Sequence, residues 1–165
     1  MKAITPRSIE INPEAARPID AIKVAKDLLF SAKVAALATL DPSGFPYSTV
    51  TNLLIDAEAM PVLFMARLSL HARNIEADPR VSITVADYAS DVMVTPRLTL
   101  SGHVELISGP DLASFKDAYA ERFPKSKLYL QLPDALLYRL YIEAVQLNGG
   151  PARNANKITP QDLRS

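Results

Sequence analysis

With 165 residues, 48% of them apolar and 22% charged, the chain has the size and mix of one compact domain. Eighteen Lys and Arg balance eighteen Asp and Glu, so no net field draws it to nucleic acid. The absence of cysteine excludes disulfides, thiolate metal sites and a Cys nucleophile, and no run nears the roughly 20 apolar residues that span a bilayer. We expect a single cytoplasmic domain over residues 1–165, with neither nucleic acid nor membrane as partner.

Residues 1–17 carry prolines and scattered charges without a period, and read as an extended arm. From Pro18 the pattern turns helical, with Ile22, Ala25, Leu29 and Ala32 at three- and four-residue steps. Val34 to Leu40, the turn Asp41-Pro42-Ser43-Gly44 and a β-branched, aromatic run from Phe45 to Ile55 read as a hairpin. Pro61 to Ala66 is apolar enough for a strand buried on both faces. Ser69 can cap a short helix from Leu70 to about Ala77, stopped by Asp78-Pro79 ahead of a strand from Val81 to Ala86.

From Arg97 to Ile107, Leu98, Leu100, Gly102, Val104 and Leu106 alternate with polar residues, as on a half-buried antiparallel strand. Leu112, Phe115, Tyr119 and Phe123 make a helical stripe closed by Pro124. Leu136, Tyr138, Leu140, Ile142 and Ala144 form one face of a last long strand. Residues 150–165, beyond the Gly149-Gly150 turn, read as a loop-like tail. At least six strands in hairpin succession with three helices predict an α+β fold, an antiparallel barrel or sandwich and not a βαβ sheet.

The segment with most chemistry is Arg67-Leu68-Ser69-Leu70-His71-Ala72-Arg73-Asn74. A cation ends an apolar strand, a hydroxyl follows, and the helix it starts carries His71 and Arg73 in its first turns. Unpaired amides at a helix N-terminus, together with the forked donors of an arginine, favour an anion. On spacing alone the plainer reading prevails: an ordinary cap, solvated arginines and an incidental histidine. His103 shares a polar strand face with Glu105, which fits a solvated sheet better than a metal pair. The sequence holds no P-loop, dinucleotide fingerprint or nucleophile elbow, and Glu105, Glu121 and Glu143 occur singly. The aromatic residues Phe115, Tyr119, Phe123, Tyr129, Tyr138 and Tyr141 read as core and interface packing.

Four blocks in order carry a family resemblance: Ala35 to Thr49, Leu63 to Asn74, Asp78 to Ser82, and Arg97 to Gly102. Together they resemble the pyridoxamine 5'-phosphate oxidase-related flavin mononucleotide (FMN)-binding split barrels, and among these the branch that includes haem-utilisation proteins. The resemblance spans roughly residues 20–150 and is strongest from Leu63 to Ser82. It implies an antiparallel split β-barrel with flanking helices, assembled as a homodimer with two FMN sites at the subunit interface.

By that resemblance Arg67, Ser69 and His71 hold the flavin phosphate, with Asn74 in support. Tyr47, Ser48, Thr49 and Val50 lie along the ring and ribityl chain, and Met65 and Ala66 line the cofactor on the neighbouring strand. Many members carry lysine where His71 stands, and a neutral imidazole donates only one hydrogen bond there. The segment Asn148-Gly149-Gly150 matches a glycine-rich stretch near the flavin, although Pro151 stands where an aromatic is usual. The implied function is FMN-dependent oxidoreduction of a small-molecule substrate or electron acceptor, with the flavin performing the chemistry. Genuine pyridoxamine-phosphate oxidase activity is not expected, because the chain has no tryptophan and Arg153 is followed by Asn154-Ala155. The alternatives are haem binding, although the last histidine is His103, and flavin binding without catalysis.

Overall fold

The computed structural model describes residues 20–88, 91–150, 154–155 and 158–164. The expected arm at 1–17 and the start of the first helix at Pro18 lie outside them. Helix α1 runs Ala21–Ser31, with the Asp20 carboxylate accepting the Lys23 N–H at 3.1 Å as its N-cap. It buries Ala25 and Leu29, two members of the expected stripe.

The strands are β1 (Val34–Leu40), β2 (Pro46–Asn52), β3 (Leu54–Ile55), β4 (Pro61–Ala66), β5 (Arg80–Ala86), β6 (Arg97–Leu106), β7 (Ala135–Asn148) and β8 (Asn154–Ala155). Helices α2 (Leu70–Ala77), α3 (Leu112–Arg122) and α4 (Pro160–Arg164) complete the elements. All pairings are antiparallel, in the order β2-β1-β5-β6-β7-β4-β3, with β8 on β7. Strand β2, at one end of this path, approaches β4 near the other, so the sheet curls into an incompletely closed barrel. This is the antiparallel split barrel with flanking helices.

The main core fills the inside of the curl. Leu37, Leu63, Ile83, Leu100 and Leu140 from the strands meet Leu29 of α1, Ala72 and Ile75 of α2 and Leu163 of α4. A second cluster, Val62, Tyr119, Leu130 and Leu137, lies under α3 on the opposite face of β4 and β7. Hence β4 is buried on both faces, as its continuous apolar run requires. Among the described residues no helix is long and apolar enough to cross a membrane.

Several boundaries differ from the sequence expectation, each for a tertiary reason. The run from Phe45 to Ile55 is not one strand: it breaks at Leu53, whose N–H bonds Lys33 O at 2.9 Å while its side chain is fully buried. Leu106 is 49% exposed, because the alternation of β6 ends one pair earlier. The tail is not simply loop. Asn154–Ala155 pairs with β7, and Ile158 and Leu163 are buried in the main core.

Candidate functional site at the junction of β4 and α2

Strand β4 delivers the chain to a tight turn at Arg67 and Leu68. Ser69, in extended conformation (φ −67°, ψ 150°), then caps α2. Its N–H and its Oγ both donate to Ala66 O, at 3.0 and 2.7 Å, and Oγ accepts the Ala72 N–H at 3.4 Å. The His71 Nε2 lies 3.2 Å from the same oxygen. Since the one hydroxyl proton points to Ala66 O, the shorter contact, the imidazole N–H is the donor to Ser69. Half-burial lowers the His71 pKa below its usual 6.5 and keeps the ring neutral.

Arg67 is anchored by its backbone, whose N–H donates to Asp134 O at 2.9 Å, and this ties the turn to the chain entering β7. Its guanidinium meets Glu76 Oε1 at 3.1 Å, with both side chains about half exposed. A pair so exposed contributes on the order of 1 kcal/mol or less, so Arg67 is readily shared with an incoming anion.

Asn74 sits one turn further along α2, buried, and its Nδ2 donates to the buried Thr39 Oγ1 at 3.0 Å. This bond clamps α2 to β1. Thr39 in turn faces Tyr47 across the β1–β2 pair, and Leu37 faces Thr49, so Tyr47 and Thr49 share the inner face with Asn74. Ser48 and Val50 point to the outer face, where Val50 is 66% exposed. Met65 is buried in the main core, and Ala66 is exposed beside the turn.

The structure thus brings Arg67, Ser69 and His71 to one junction, with Asn74 and Tyr47 joined to it through Thr39 and Thr49 next to Tyr47 on the same face of β2. It turns Ser48 and Val50 away and puts Met65 in the core. Glu76, absent from the sequence-based set, belongs here: it pairs with Arg67 across nine positions, a spacing no helix rule reveals. Burial first and then Glu76 raise the pKa of the Tyr138 hydroxyl above its usual 10 while Arg67 lowers it, so the phenol stays protonated.

Two other constellations lie apart. On the outer face His103 Nδ1 is 2.9 Å from Glu143 and Nε2 3.5 Å from Glu105, with Tyr141 stacked at 5.5 Å between ring centroids. Both ring nitrogens face carboxylates, and among the described residues no group of His, Asp and Glu is arranged to hold a metal. A shallow cavity of about 340 Å³ at the start of β4 is lined by Ile55, Asp56, Glu58, Phe115 and Arg139, and the Arg139–Asp56 ion pair lies in its wall.

Residues 22–163 match the model of the family described as pyridoxamine 5'-phosphate oxidase. A curated relative, the chloroplastic non-canonical heme oxygenase HOZ of Arabidopsis thaliana, is 25% identical over 146 residues, covering 87% of this chain and 45% of that protein. Among solved structures, the protein Atu2129 of unknown function from Agrobacterium tumefaciens is 49% identical with a TM-score of 0.79, over 94% of this chain and 64% of that one. A heme binding protein from Mycobacterium smegmatis is 28% identical with a TM-score of 0.80, over 90% and 61%. The chain therefore spans less than half of the curated relative and under two thirds of both structures. With the model matched from α1 to α4 on a split barrel of the expected topology, this chain belongs to the pyridoxamine 5'-phosphate oxidase family.

Proposed function

We propose that this chain is a haem-binding member of its family, which receives the porphyrin at the β4–α2 junction. The observation that carries the reading is the surroundings of Arg67. Leu68 and Leu70 on one side, and Leu128, Tyr129 and Leu132 leading into the adjoining turn, are each 48–81% exposed, and the Arg67–Asp134 backbone bond joins the two segments. Large apolar side chains held in water beside a cation call for a partner that is apolar in body and acidic at its edge. The donor set fits that group: Arg67 for a propionate, neutral His71 as a ring nitrogen for iron, and the leucines for the macrocycle. Haem, when bound, would supply an iron able to carry oxygen chemistry. The names of the Arabidopsis and Mycobacterium relatives support this choice.

FMN-dependent oxidoreduction is the second reading, favoured by the Ser69-capped N-terminus of α2. There free amides and Arg67 would hold a phosphate, with Tyr47 and Thr49 on the ring side. The neutral His71 makes that cradle weaker than one with a lysine at position 71.

Titration of the purified chain with haemin and with FMN, followed by absorption, tests the order. Haemin should give a saturable Soret shift, with FMN binding more weakly. Arg67→Ala should weaken haemin about tenfold or more, the value of a hydrogen bond to a charged group, while His103→Ala leaves it unchanged. His71→Ala should move the Soret maximum. Because burial depresses the His71 pKa, the neutral ring and its iron contact should persist as pH falls through 6.5 and be lost only at more acidic pH. Tight FMN binding without a haemin response would reverse the two readings.

We also propose a homodimer, formed on the outer face of β1, β2, β5 and β6. There the rows Ala36-Thr84-Thr99 and Ala38-Ser82-Ser101 run across β1, β5 and β6, and Val50 stands exposed: small side chains next to the free edge of β2. Light scattering should give twice the chain mass, and Val50→Arg should halve it; a monomeric wild type contradicts the assembly.

A further inference from the structure

We infer that Glu76 is an internal competitor for the ligand's acid: its carboxylate holds the Arg67 guanidinium until an acidic head group displaces it. The inference rests on placing the ligand at the β4–α2 junction, and it names the residue that sets how strongly that site prefers an acidic ligand to its neutral analogue.

Arg67 stands two residues ahead of the Ser69 cap, yet its Nη1 donates to Glu76 Oε1 at 3.1 Å, near the far end of α2. Among the described residues the guanidinium has no second acceptor. At the near end of the helix the Ala72 N–H is taken by Ser69 Oγ and the Arg73 N–H by Ser69 O, which leaves the amides of Leu70 and His71 for a ligand. Glu76 lies six positions beyond Leu70, roughly 9 Å along the axis at 1.5 Å of rise per residue. The cation and the free amides are therefore drawn apart by the length of one short helix. For both to meet one anion, Arg67 must leave Glu76.

Glu76 does nothing for the helix that carries it. It stands in the last turn, at the negative end of the helix dipole, where a cation is favourable and a carboxylate is not, and that turn holds no basic residue. Arg67 is what neutralises it. With side chains 53% and 45% exposed, the pair competes by about two- to fivefold in an equilibrium. That is enough for an acidic ligand to feel and little enough for it to overcome. The ligand's carboxylate or phosphate oxygen takes the place of Oε1 on the guanidinium, and a ligand without an acid leaves the pair as it stands.

Glu76→Gln keeps the length of the side chain and removes its charge. Affinity for haemin and for FMN should rise about two- to fivefold, while haemin dimethyl ester and riboflavin, which lack the acid, should bind the variant and the wild type alike. The melting temperature should stay close to that of the wild type, since the relieved helix end offsets the lost ion pair. In the Arg67→Ala background Glu76→Gln should add nothing, because no guanidinium is left to release. Unchanged haemin and FMN affinities in Glu76→Gln would overturn the inference while leaving the haem reading standing, and so would a gain that persists without Arg67. If the wild type takes up neither ligand, the line width of inorganic phosphate in ³¹P spectra decides: broadening greater with Glu76→Gln than with the wild type upholds the competition without haem, and equal widths remove both.

Discussion

Gly102→Ala should leave little folded protein. Gly102 lies in β6 where the pairing with β7 shifts: Ser101 faces Ala144, but Gly102 faces Ile142, so Glu143 is the extra residue of a bulge. A Cβ at this position would stand 1.9 Å from Tyr141 O, 3.0 Å from its carbonyl carbon and 3.2 Å from Glu143 N. All three atoms are backbone, so no side chain can swing aside. The strands involved are central in the sheet, and separating them would open the main core. The cost should exceed the ~1–3 kcal/mol of ordinary overpacking, a large share of the ~5–15 kcal/mol that holds a domain together. We expect a melting temperature lowered by about 10 °C or more, or insoluble expression. A midpoint equal to the wild type would mean that the two backbones lie farther apart here.

Asp56→Ala should cost nearly as much, by a different route. Asp56 closes the turn between β3 and β4: its Oδ1 accepts the N–H groups of Glu58 and Met60 at 2.8 and 2.9 Å. The same turn places Ala59 at φ 59°, a left-handed conformation that only a well-tied loop enforces on alanine. Its Oδ2 takes the Arg139 Nε at 2.6 Å, with side chains 8% and 18% exposed. Removing the carboxylate would leave the guanidinium of β7 half desolvated, with only Glu58 at 3.3 Å and the Phe115 ring at 5.7 Å. Breaking a buried pair from one side costs about 3–5 kcal/mol. Asp56→Asn, which keeps the turn-closing oxygen, should lose less. Urea denaturation of the two variants checks the ranking, and equal losses would show that the ion pair, not the turn, carries the energy.

The parts of the fold written in local pattern are legible in the sequence. The Ser69 cap, the doubly buried β4 and the alternation of β6 follow from capping chemistry and a period of two, which neighbours along the chain suffice to express. Local pattern alone left barrel and sandwich undecided, and the ordered resemblance supplied the split barrel. What escaped was tertiary. The even-numbered face of β7 from Leu136 to Ile142 gives way to Val145 and Leu147 in the core, because the bulge at Glu143 shifts the parity, and nothing in the strand's own composition marks it. The buried tail segment around Leu163 is too short to show a helical period.

The site divides in the same way. Arg67, Ser69 and His71 meet because a strand end, a cap and a first helical turn are contiguous in sequence. Asn74 belongs to Thr39, 35 residues away, and its function as a clamp depends on a contact no spacing rule contains.

Absorption titration of the wild-type chain with haemin, run beside Arg67→Ala, tests the central claim most directly. The account predicts a saturable Soret shift in the wild type and at least tenfold weaker binding in the variant, the worth of a charged hydrogen bond at the β4–α2 junction. A wild-type spectrum that haemin leaves unshifted, or identical affinities in the two proteins, would contradict it.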